Sequence, residues 1–237
     1  MRPYYLDVLE RRVPGRDLLR EVWHRLRRRL FPAARDDRQI WTPADVIDVD
    51  GPELNIRSYL EHQDIRSMVA VLPADRRRAA MEVGCGYGRL IMVFREFFPR
   101  VIGVEREPAL LETARTLVSG IEYVNPAQLW DLTAVQGPID FAMVFTVLMH
   151  MTDSDARRVI EAIKEKVGKG WILLVEHTAG DVVGDTTDNA AFMMHGRSIE
   201  QFEQWLKPFK LIKTQVRRVE STSRYKDNGS YMLFANP

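Results

Sequence analysis

The chain contains 237 residues, of which 46% are hydrophobic and 28% are charged, and its formal net charge is +1. This length and balance fit one folded globular domain with a small extension, and they exclude an intrinsically disordered chain. Because the chain has a single cysteine and no apolar run of the roughly 18–20 residues that a membrane span needs, we expect a soluble, cytoplasmic protein without a disulfide framework or a membrane span.

The first 38 residues are strongly basic. They hold eleven arginines and six acidic residues, a net charge of +5, so the remaining residues sum to −4. Val22, Leu26 and Leu30 recur at helical spacing, which predicts an amphipathic helix near 16–30 whose arginines face solvent. A second helix is predicted near 54–71. We expect residues 1–75 to form an N-terminal helical cap. The arginines of the basic helix could also bind an anionic partner, and this alternative stays open.

From residue 78 onward, strands alternate with helices, which is typical of a mainly parallel sheet covered by helices. The predicted strands are 79–83, 101–105, 121–124, 139–145 and 171–176. The helices are marked by apolar spacing or by residues that begin and end helices. These are Leu90, Phe94 and Phe97 for the first, Pro108 and Gly120 for the second, Thr152 and Gly168 for the third, and Ser198 and Pro208 for the last.

The end of the chain has the pattern of a β-hairpin. Segments 209–219 and 230–235 face each other across Asp227-Asn228-Gly229, which has the composition of a tight turn. The parallel part of the sheet is therefore predicted to finish in an antiparallel pair.

The first predicted strand runs into three glycines at alternate positions, Gly84, Gly86 and Gly88. Glycine is needed where the backbone adopts positive φ or where a ligand presses against it. Glu105 lies 21 residues after Gly84, at the end of the second strand. A carboxylate at that place accepts hydrogen bonds from both hydroxyls of a ribose. Together these features predict a nucleoside-type ligand across the carboxyl ends of the first two strands.

The spacing of the glycines separates two kinds of nucleoside site. A dinucleotide fingerprint would have its third glycine at the position of Arg89. The actual segment, E-V-G-C-G-Y-G, resembles the first motif of class I methyltransferases that use S-adenosyl-L-methionine. The resemblance covers about residues 78–237. It implies a seven-stranded, mostly parallel Rossmann-like sheet with an antiparallel last strand, and hence a methyltransferase domain at 76–237 behind a cap or lid at 1–75.

The resemblance also implies which residues bind this cofactor. Gly84, Gly86 and Gly88 would line its methionine and ribose portion, Glu82 would lie behind the loop, and Glu105 would bind the ribose hydroxyls. The set is completed by Cys85, Asn125, Gln128 and Phe145, of which Asn125 and Gln128 would flank the adenine. Many similar enzymes have an aspartate there, and in this sequence the amide of Gln128 is the candidate replacement.

Two histidines are candidate catalytic bases. His150 lies in Phe145-Thr146-Val147-Leu148-Met149-His150-Met151, directly after the fourth strand, where open α/β sheets place their ligand crevice. A histidine there can accept the proton of an acceptor hydroxyl. The segment resembles the V-L-x-H stretch of many small-molecule methyltransferases. His177, at the end of the fifth strand, is the second candidate, and a structural role for either histidine stays open.

The remaining sequence features bear on metal binding and on which class of molecule accepts the methyl group. The acidic and histidine residues of one loop match no compact metal motif, so no metal is expected; these are Glu176, His177, Asp181, Asp185 and Asp188. The fourth strand lacks the Asn/Asp-Pro-Pro-aromatic signature that accompanies methylation of nucleic-acid bases, and a net-acidic catalytic region also disfavours nucleic acid. A small-molecule acceptor is expected, most simply a hydroxyl of a sugar, a lipid-linked sugar or a secondary metabolite.

Two alternatives stay open. In one, the same fold methylates RNA or protein that is docked by the Arg-rich N-terminus. In the other, the domain binds a nucleoside without turnover and serves as an assembly partner. A homodimer is also left open by the sequence.

Overall fold

The computed structural model describes residues 52–178, 195–217 and 229–236, with side chains from Ser58 onward. The predicted helix near 16–30 and the turn residues Asp227 and Asn228 lie outside these ranges. The helices are α1 (Pro52–Val69), α2 (Pro108–Leu117), α3 (Asp153–Val167) and α4 (Ile199–Trp205). The strands are β1 (Ala79–Val83), β2 (Arg100–Val104), β3 (Glu122–Val124), β4 (Phe141–Phe145), β5 (Gly170–His177), β6 (Lys210–Val216) and β7 (Gly229–Asn236). Short 3-10 helices occupy Ala74–Arg76, Ile91–Glu96 and Leu148–His150.

The described strands form one seven-stranded sheet in the order β3-β2-β1-β4-β5-β7-β6. Strands β1 to β5 pair in parallel, whereas β7 is antiparallel to both of its neighbours, β5 and β6. This confirms the predicted Rossmann-like sheet and its antiparallel last strand. The strand order reverses between β1 and β4, so the carboxyl ends of these two strands border the crevice where such sheets bind ligands.

Apolar cores cover both faces of the sheet, which explains why its central strands are continuous hydrophobic runs. On one face, Ile65 and Met68 of α1 pack against the sheet together with Phe94. On the other face, the core includes Ile160 of α3 and Phe202 of α4. Helix α1 thus packs into the same apolar core as the strands whose ends border the crevice. Among the described residues, no helix is long and apolar enough to cross a membrane.

The predicted helix boundaries are largely confirmed by cap geometry. Thr152 Oγ1 accepts a hydrogen bond from the backbone N–H of Asp155 at 3.2 Å, and Ser198 Oγ accepts one from that of Gln201 at 3.2 Å. Each bond satisfies one of the N–H groups that a helix leaves unpaired at its start. Both caps fix where α3 and α4 begin relative to the ends of β4 and β5.

The prediction of an amphipathic helix between β1 and β2 is wrong in type. The segment Ile91–Glu96 is a 3-10 helix, in which Ile91, Val93 and Phe94 are buried while Phe97 is half-buried. Only eleven residues separate Gly88 from the start of β2. Because a 3-10 helix rises about 2.0 Å per residue against about 1.5 Å for an α-helix, it returns the chain over the sheet with fewer residues.

Candidate active site

The loop after β1 is anchored to the neighbouring strand β2. The backbone N–H groups of Gly84 and Cys85 both donate to the carbonyl oxygen of Val104, at 2.7 and 3.1 Å. Gly84, Gly86 and Gly88 have φ values of 78°, 55° and 86°, a backbone region that residues with a side chain rarely adopt. The alternate glycines are therefore required by the backbone of the loop.

The three glycines differ in what a side chain would meet. A β-carbon at Gly84 would collide with Cγ2 of Val147, and one at Gly88 would lie 3.0 Å from Cγ2 of Val118. A β-carbon at Gly86 would meet no atom of the described residues within 4 Å. Gly84 and Gly88 thus allow close packing of the protein on itself, and Gly86 leaves bare backbone in open space.

Glu105 directly follows β2 and reaches the bare part of the loop. Its Oε2 accepts a hydrogen bond from the N–H of Gly86 at 2.9 Å, and its Oε1 accepts one from the N–H of Glu107 at 2.8 Å. Burial raises the pKa of this carboxyl, and the two N–H donors oppose that shift. Each carboxylate oxygen keeps further acceptor capacity beyond one N–H. The structure therefore brings the predicted acid and Gly86 together.

Glu82 lies behind the loop, inside the protein. Its carboxyl is buried, and this burial raises its pKa well above the usual value, with Arg89 opposing the shift and Glu105 adding to it. The environment thus favours the protonated, neutral form of Glu82.

Two other predicted cofactor residues, Cys85 and Asn125, mainly contact other parts of the protein. The Cys85 sulfur points beneath the loop, 2.9 Å from where a β-carbon of Gly103 would lie, and burial raises the pKa of its thiol well above the usual value. The side-chain amide of Asn125 donates to the carbonyl oxygens of Glu105 (2.7 Å) and Arg106 (2.9 Å). Cys85 can thus offer a ligand only its backbone, and Asn125 ties the end of β3 to the end of β2.

Phe145 and Gln128 lie at different depths. The ring of Phe145 is buried at the end of β4, with the guanidinium of Arg217 at 4.9 Å and the ring of Tyr231 at 6.2 Å. Gln128 is half-buried in the segment that follows β3, and its carbonyl oxygen accepts a hydrogen bond from the N–H of Asp131 at 2.9 Å. Phe145 thus packs against other side chains of the protein at the end of β4.

The turn that follows β4 leans against the glycine loop. Thr146 has a φ of 52°, which is uncommon for a residue other than glycine and often marks a functional site. Its N–H donates to the carbonyl oxygen of Val175 at 2.7 Å. The next residue, Val147, is the one whose Cγ2 lies against Gly84. The 3-10 helix Leu148–His150 follows directly and ends at the candidate base.

Glu176 of β5 holds this turn by its backbone. Its carboxylate accepts hydrogen bonds from the N–H groups of Val147 (2.9 Å), Leu148 (2.9 Å) and Met149 (3.0 Å). Burial raises the pKa of Glu176 to about 7, and these three donors and Arg197 oppose the shift. From the sequence alone, Glu176 is a candidate only as a metal ligand in the acidic loop. A single charged residue inside the apolar run of β5 was the signal for a buried, hydrogen-bonded role.

The two candidate bases lie in different surroundings. His150 ends the turn and is half-buried, whereas His177 is buried at the end of β5 beside Gly229 of β7. Since successive side chains of a strand point to opposite faces, His177 faces away from Glu176, which holds the turn. His150 therefore lies in the turn that contacts the glycine loop, whereas His177 lies at the end of β5. His195 adjoins that turn, and its N–H donates to the carbonyl oxygen of Met149 at 2.7 Å.

An ion-pair cluster that the sequence analysis missed fastens α1 to the glycine loop. Glu61 is 1% exposed and binds two arginines: Oε2 accepts from Arg89, and Oε1 accepts from Nε of Arg217 at 3.1 Å. The ring Nε2 of His62 is 2.8 Å from the carbonyl oxygen of Arg89. Burial raises the pKa of Glu61, but the two guanidiniums prevail and hold it below the usual value.

The acidic loop considered for a metal falls mostly outside the described ranges. Asp181, Asp185 and Asp188 lie there. Within residues 52–178, 195–217 and 229–236, no group of three acidic, histidine or cysteine side chains is placed to hold a metal ion.

The chain was compared with families of known proteins. A family model described as a methyltransferase domain matches residues 55–223, which is more than half of the chain. The chain belongs to the methyltransferase domain family. The match begins within α1 and extends beyond β6, so it includes the glycine loop, Glu105 and the turn with His150. A comparison with curated proteins gives no match.

Solved structures show the same fold at low sequence identity. A chain from the complex between the Haloferax volcanii Trm112 methyltransferase activator and a methyltransferase has a TM-score of 0.63 and 12% identity, over 84% of this chain and 99% of that one. Magnesium protoporphyrin IX methyltransferase from Synechocystis, with bound S-adenosylmethionine, has a TM-score of 0.57 and 15% identity over 89% of both chains. The N-methyltransferase NodS from Bradyrhizobium japonicum, in complex with S-adenosyl-L-homocysteine, has a TM-score of 0.57 and 16% identity, over 80% of this chain and 90% of that one.

The protein is therefore a class I, S-adenosylmethionine-dependent methyltransferase, as its glycine motif predicts. Its crevice fits that cofactor. No atom of the described residues lies within 4 Å of where a β-carbon of Gly86 would be, and the carboxylate of Glu105 is fixed beside it. These two features match a nucleoside that lies flat on a loop with its sugar hydroxyls against an acid.

Proposed function

We propose that this methyltransferase transfers a methyl group to a hydroxyl of a small molecule, with His150 as the general base. The observation that supports this proposal is the contact between Val147 and Gly84, because it puts the turn with His150 against the loop that binds the methyl donor. Sugars, lipid-linked sugars and secondary metabolites are the proposed acceptor classes. A cytoplasmic location and a homodimer are part of the same proposal.

The cofactor would be held along the ends of β1, β2 and β3. The backbone around Gly86 would carry the methionine and ribose portion, Glu105 would accept hydrogen bonds from the ribose hydroxyls, and Gln128 would pair with the adenine edge. When bound, S-adenosylmethionine supplies an electrophilic methyl group on a sulfonium. The protein then has to align the acceptor, and alignment alone is worth roughly 7–11 kcal/mol.

A hydroxyl acceptor also has to lose its proton. A bound S-adenosylmethionine would supply the methyl group that the acceptor oxygen takes and would leave as S-adenosylhomocysteine. His150 accepts the hydroxyl proton, which contributes a factor of about 10²–10⁴ for a well-placed base. The turn that carries His150 is held by three hydrogen bonds to Glu176, and this order supports a positioned base.

We also propose that residues 1–75 cover the crevice as a helical cap and select the acceptor, in front of the methyltransferase domain at 76–237. Supporting this, Glu61 and His62 of α1 both bond to Arg89, the residue that follows the glycine loop. The proposed cap is therefore connected to the edge of the crevice through α1, which lies in its last part.

A macromolecular acceptor is the second candidate, favoured by the net charge of +5 over residues 1–38. Methyl-tritiated S-adenosylmethionine should be incubated with the full chain and three sets of acceptors: hydroxylated small molecules, total RNA and a protein extract. We expect label in a hydroxylated small molecule. Label only in RNA or protein would contradict the proposal. Tight binding of S-adenosylhomocysteine without transfer to any acceptor would favour a non-catalytic assembly role.

A further inference from the structure

Arg197 extends its guanidinium under the turn that follows β4. The side chain is 1% exposed. Its Nη1 donates to the carbonyl oxygen of Leu148 and its Nη2 to that of Met151, both at 2.6 Å, and its Nε donates to Oδ1 of Asp153 at 2.9 Å. Its backbone N–H donates to the carbonyl oxygen of His177 at 3.3 Å. The side chain of this one residue, which lies between β5 and α4 in the chain, thus joins the turn to the start of α3.

Glu176 binds the start of this short helix, and Arg197 binds its backbone at Leu148 and directly after its end at Met151. Glu176 accepts the N–H groups of residues 147–149, whereas Arg197 donates to the carbonyl oxygens of Leu148 and Met151. A short helix leaves N–H groups unpaired at its start and carbonyl groups at its end, with partial positive and negative charge. A carboxylate at the first end and a guanidinium at the second therefore match both polarities of the turn.

Burying these two charged side chains is unfavourable unless their hydrogen bonds are complete. Removing a charged group from water costs several kcal/mol per ion in real proteins. In this structure the compensating bonds of Arg197 go to the backbone on both sides of His150 and to Asp153, which begins α3. The guanidinium also lies 5.4 Å from the ring of Trp205 in α4. Arg197 and Glu176, two of the buried charged side chains, therefore both bind the turn that carries the candidate base.

We propose that Arg197 is a positioning residue for methyl transfer: together with Glu176 it fixes the turn at residues 147–151 and hence the place of His150 at the crevice. This inference rests on the proposed function, in which His150 faces the acceptor. Arg197 acts through the backbone of the turn and contacts no residue of the glycine loop among its described hydrogen bonds. Its loss is thus expected to affect turnover more than cofactor binding.

The test compares Arg197→Gln and Arg197→Lys with Arg115→Gln, which removes an exposed arginine paired with Glu112 on α2. Arg197→Gln should lower the single-turnover rate about tenfold to hundredfold, since small displacements of a reacting group have effects of this size. The affinity for S-adenosylhomocysteine should change less than about threefold. Arg197→Lys keeps the charge, so it should be affected less and provides the measurement if the glutamine variant does not fold. Arg115→Gln should behave like the unmodified chain.

Two further readouts separate positioning from a general loss of structure. Hydrogen exchange of the amides of Val147, Leu148 and Met149 should become faster in Arg197→Gln, while exchange in β5 stays unchanged. Combining Arg197→Gln with His150→Ala should lower the rate no further than His150→Ala alone. Unchanged exchange at the turn, or rate losses that multiply in the double variant, would overturn the inference. A fully active His150→Ala would instead contradict the proposed function itself, so the two failures are distinguishable.

Discussion

Replacing His150 with alanine is expected to lower kcat for methyl transfer by a factor of about 10²–10⁴, the contribution of a positioned general base. Binding of S-adenosylhomocysteine should be preserved, because the contact between the turn and the glycine loop is made by Val147 and not by His150. The measurement is single-turnover transfer of tritiated methyl groups to the hydroxyl acceptor, with calorimetric binding of S-adenosylhomocysteine beside it.

His177→Ala is the matched control for this prediction. His177 ends the neighbouring strand but lies on the other face of the sheet from Glu176, which holds the turn. The variant should therefore transfer methyl groups at close to the unmodified rate. Equal losses in both variants, or an active His150→Ala, would remove His150 from the role of base.

Replacing Glu61 with glutamine is expected to lower the free energy of unfolding by roughly 3–5 kcal/mol, because it leaves the guanidiniums of Arg89 and Arg217 without their shared buried carboxylate. Chemical denaturation at neutral pH measures the loss. The control is Glu96→Gln, which breaks the ion pair between Glu96 and Arg66. In this pair the side chain of Arg66 is 34% exposed and that of Glu96 is 46% exposed. An exposed pair of this kind contributes at most about 1 kcal/mol.

The pH dependence of the stability of the same variants provides a second test. The folded-state pKa of Glu61 is lowered relative to its usual value. The stability that it contributes is therefore present above the unfolded-state pKa and is lost as the pH falls through the folded-state pKa. The unmodified chain should lose this contribution in acid, and Glu61→Gln should not show that part of the loss. Similar stabilities of Glu61→Gln and Glu96→Gln would contradict the assignment of a buried cluster.

The sheet and the glycine loop were predictable from the sequence because their signals are local. Continuous apolar runs mark strands that are buried on both faces, and the alternation of Gly84, Gly86 and Gly88 directly reflects three positive φ values. The caps of α3 and α4 follow from residues three positions apart, Thr152 with Asp155 and Ser198 with Gln201. The type of helix between β1 and β2 was missed, because Leu90, Phe94 and Phe97 have the spacing of an α-helix.

The polar contacts that organise the crevice were not predictable, because their partners are far apart in the chain. Glu61 and Arg217 are separated by 156 positions, and Arg197 is 49 positions from Leu148. No short pattern links such pairs, and each residue alone reads as an exposed charge. The different tasks of the glycines were also hidden, because only the fold places Val147 on Gly84 and leaves Gly86 open.

The most direct measurement is calorimetric binding of S-adenosylhomocysteine to two alanine variants, Gly86→Ala and Gly168→Ala. The two glycines have nearly the same φ, 55° and 59°, and a β-carbon at either would meet no atom of the described residues within 4 Å. Alanine at either position places a β-carbon on backbone with positive φ, so both variants are expected to be less stable than the unmodified chain, and binding is measured where both are folded. Gly168→Ala, at the end of α3, should bind like the unmodified chain, and Gly86→Ala should bind at least about tenfold more weakly. Equal binding by the two variants would contradict a cofactor that lies on the bare backbone after β1.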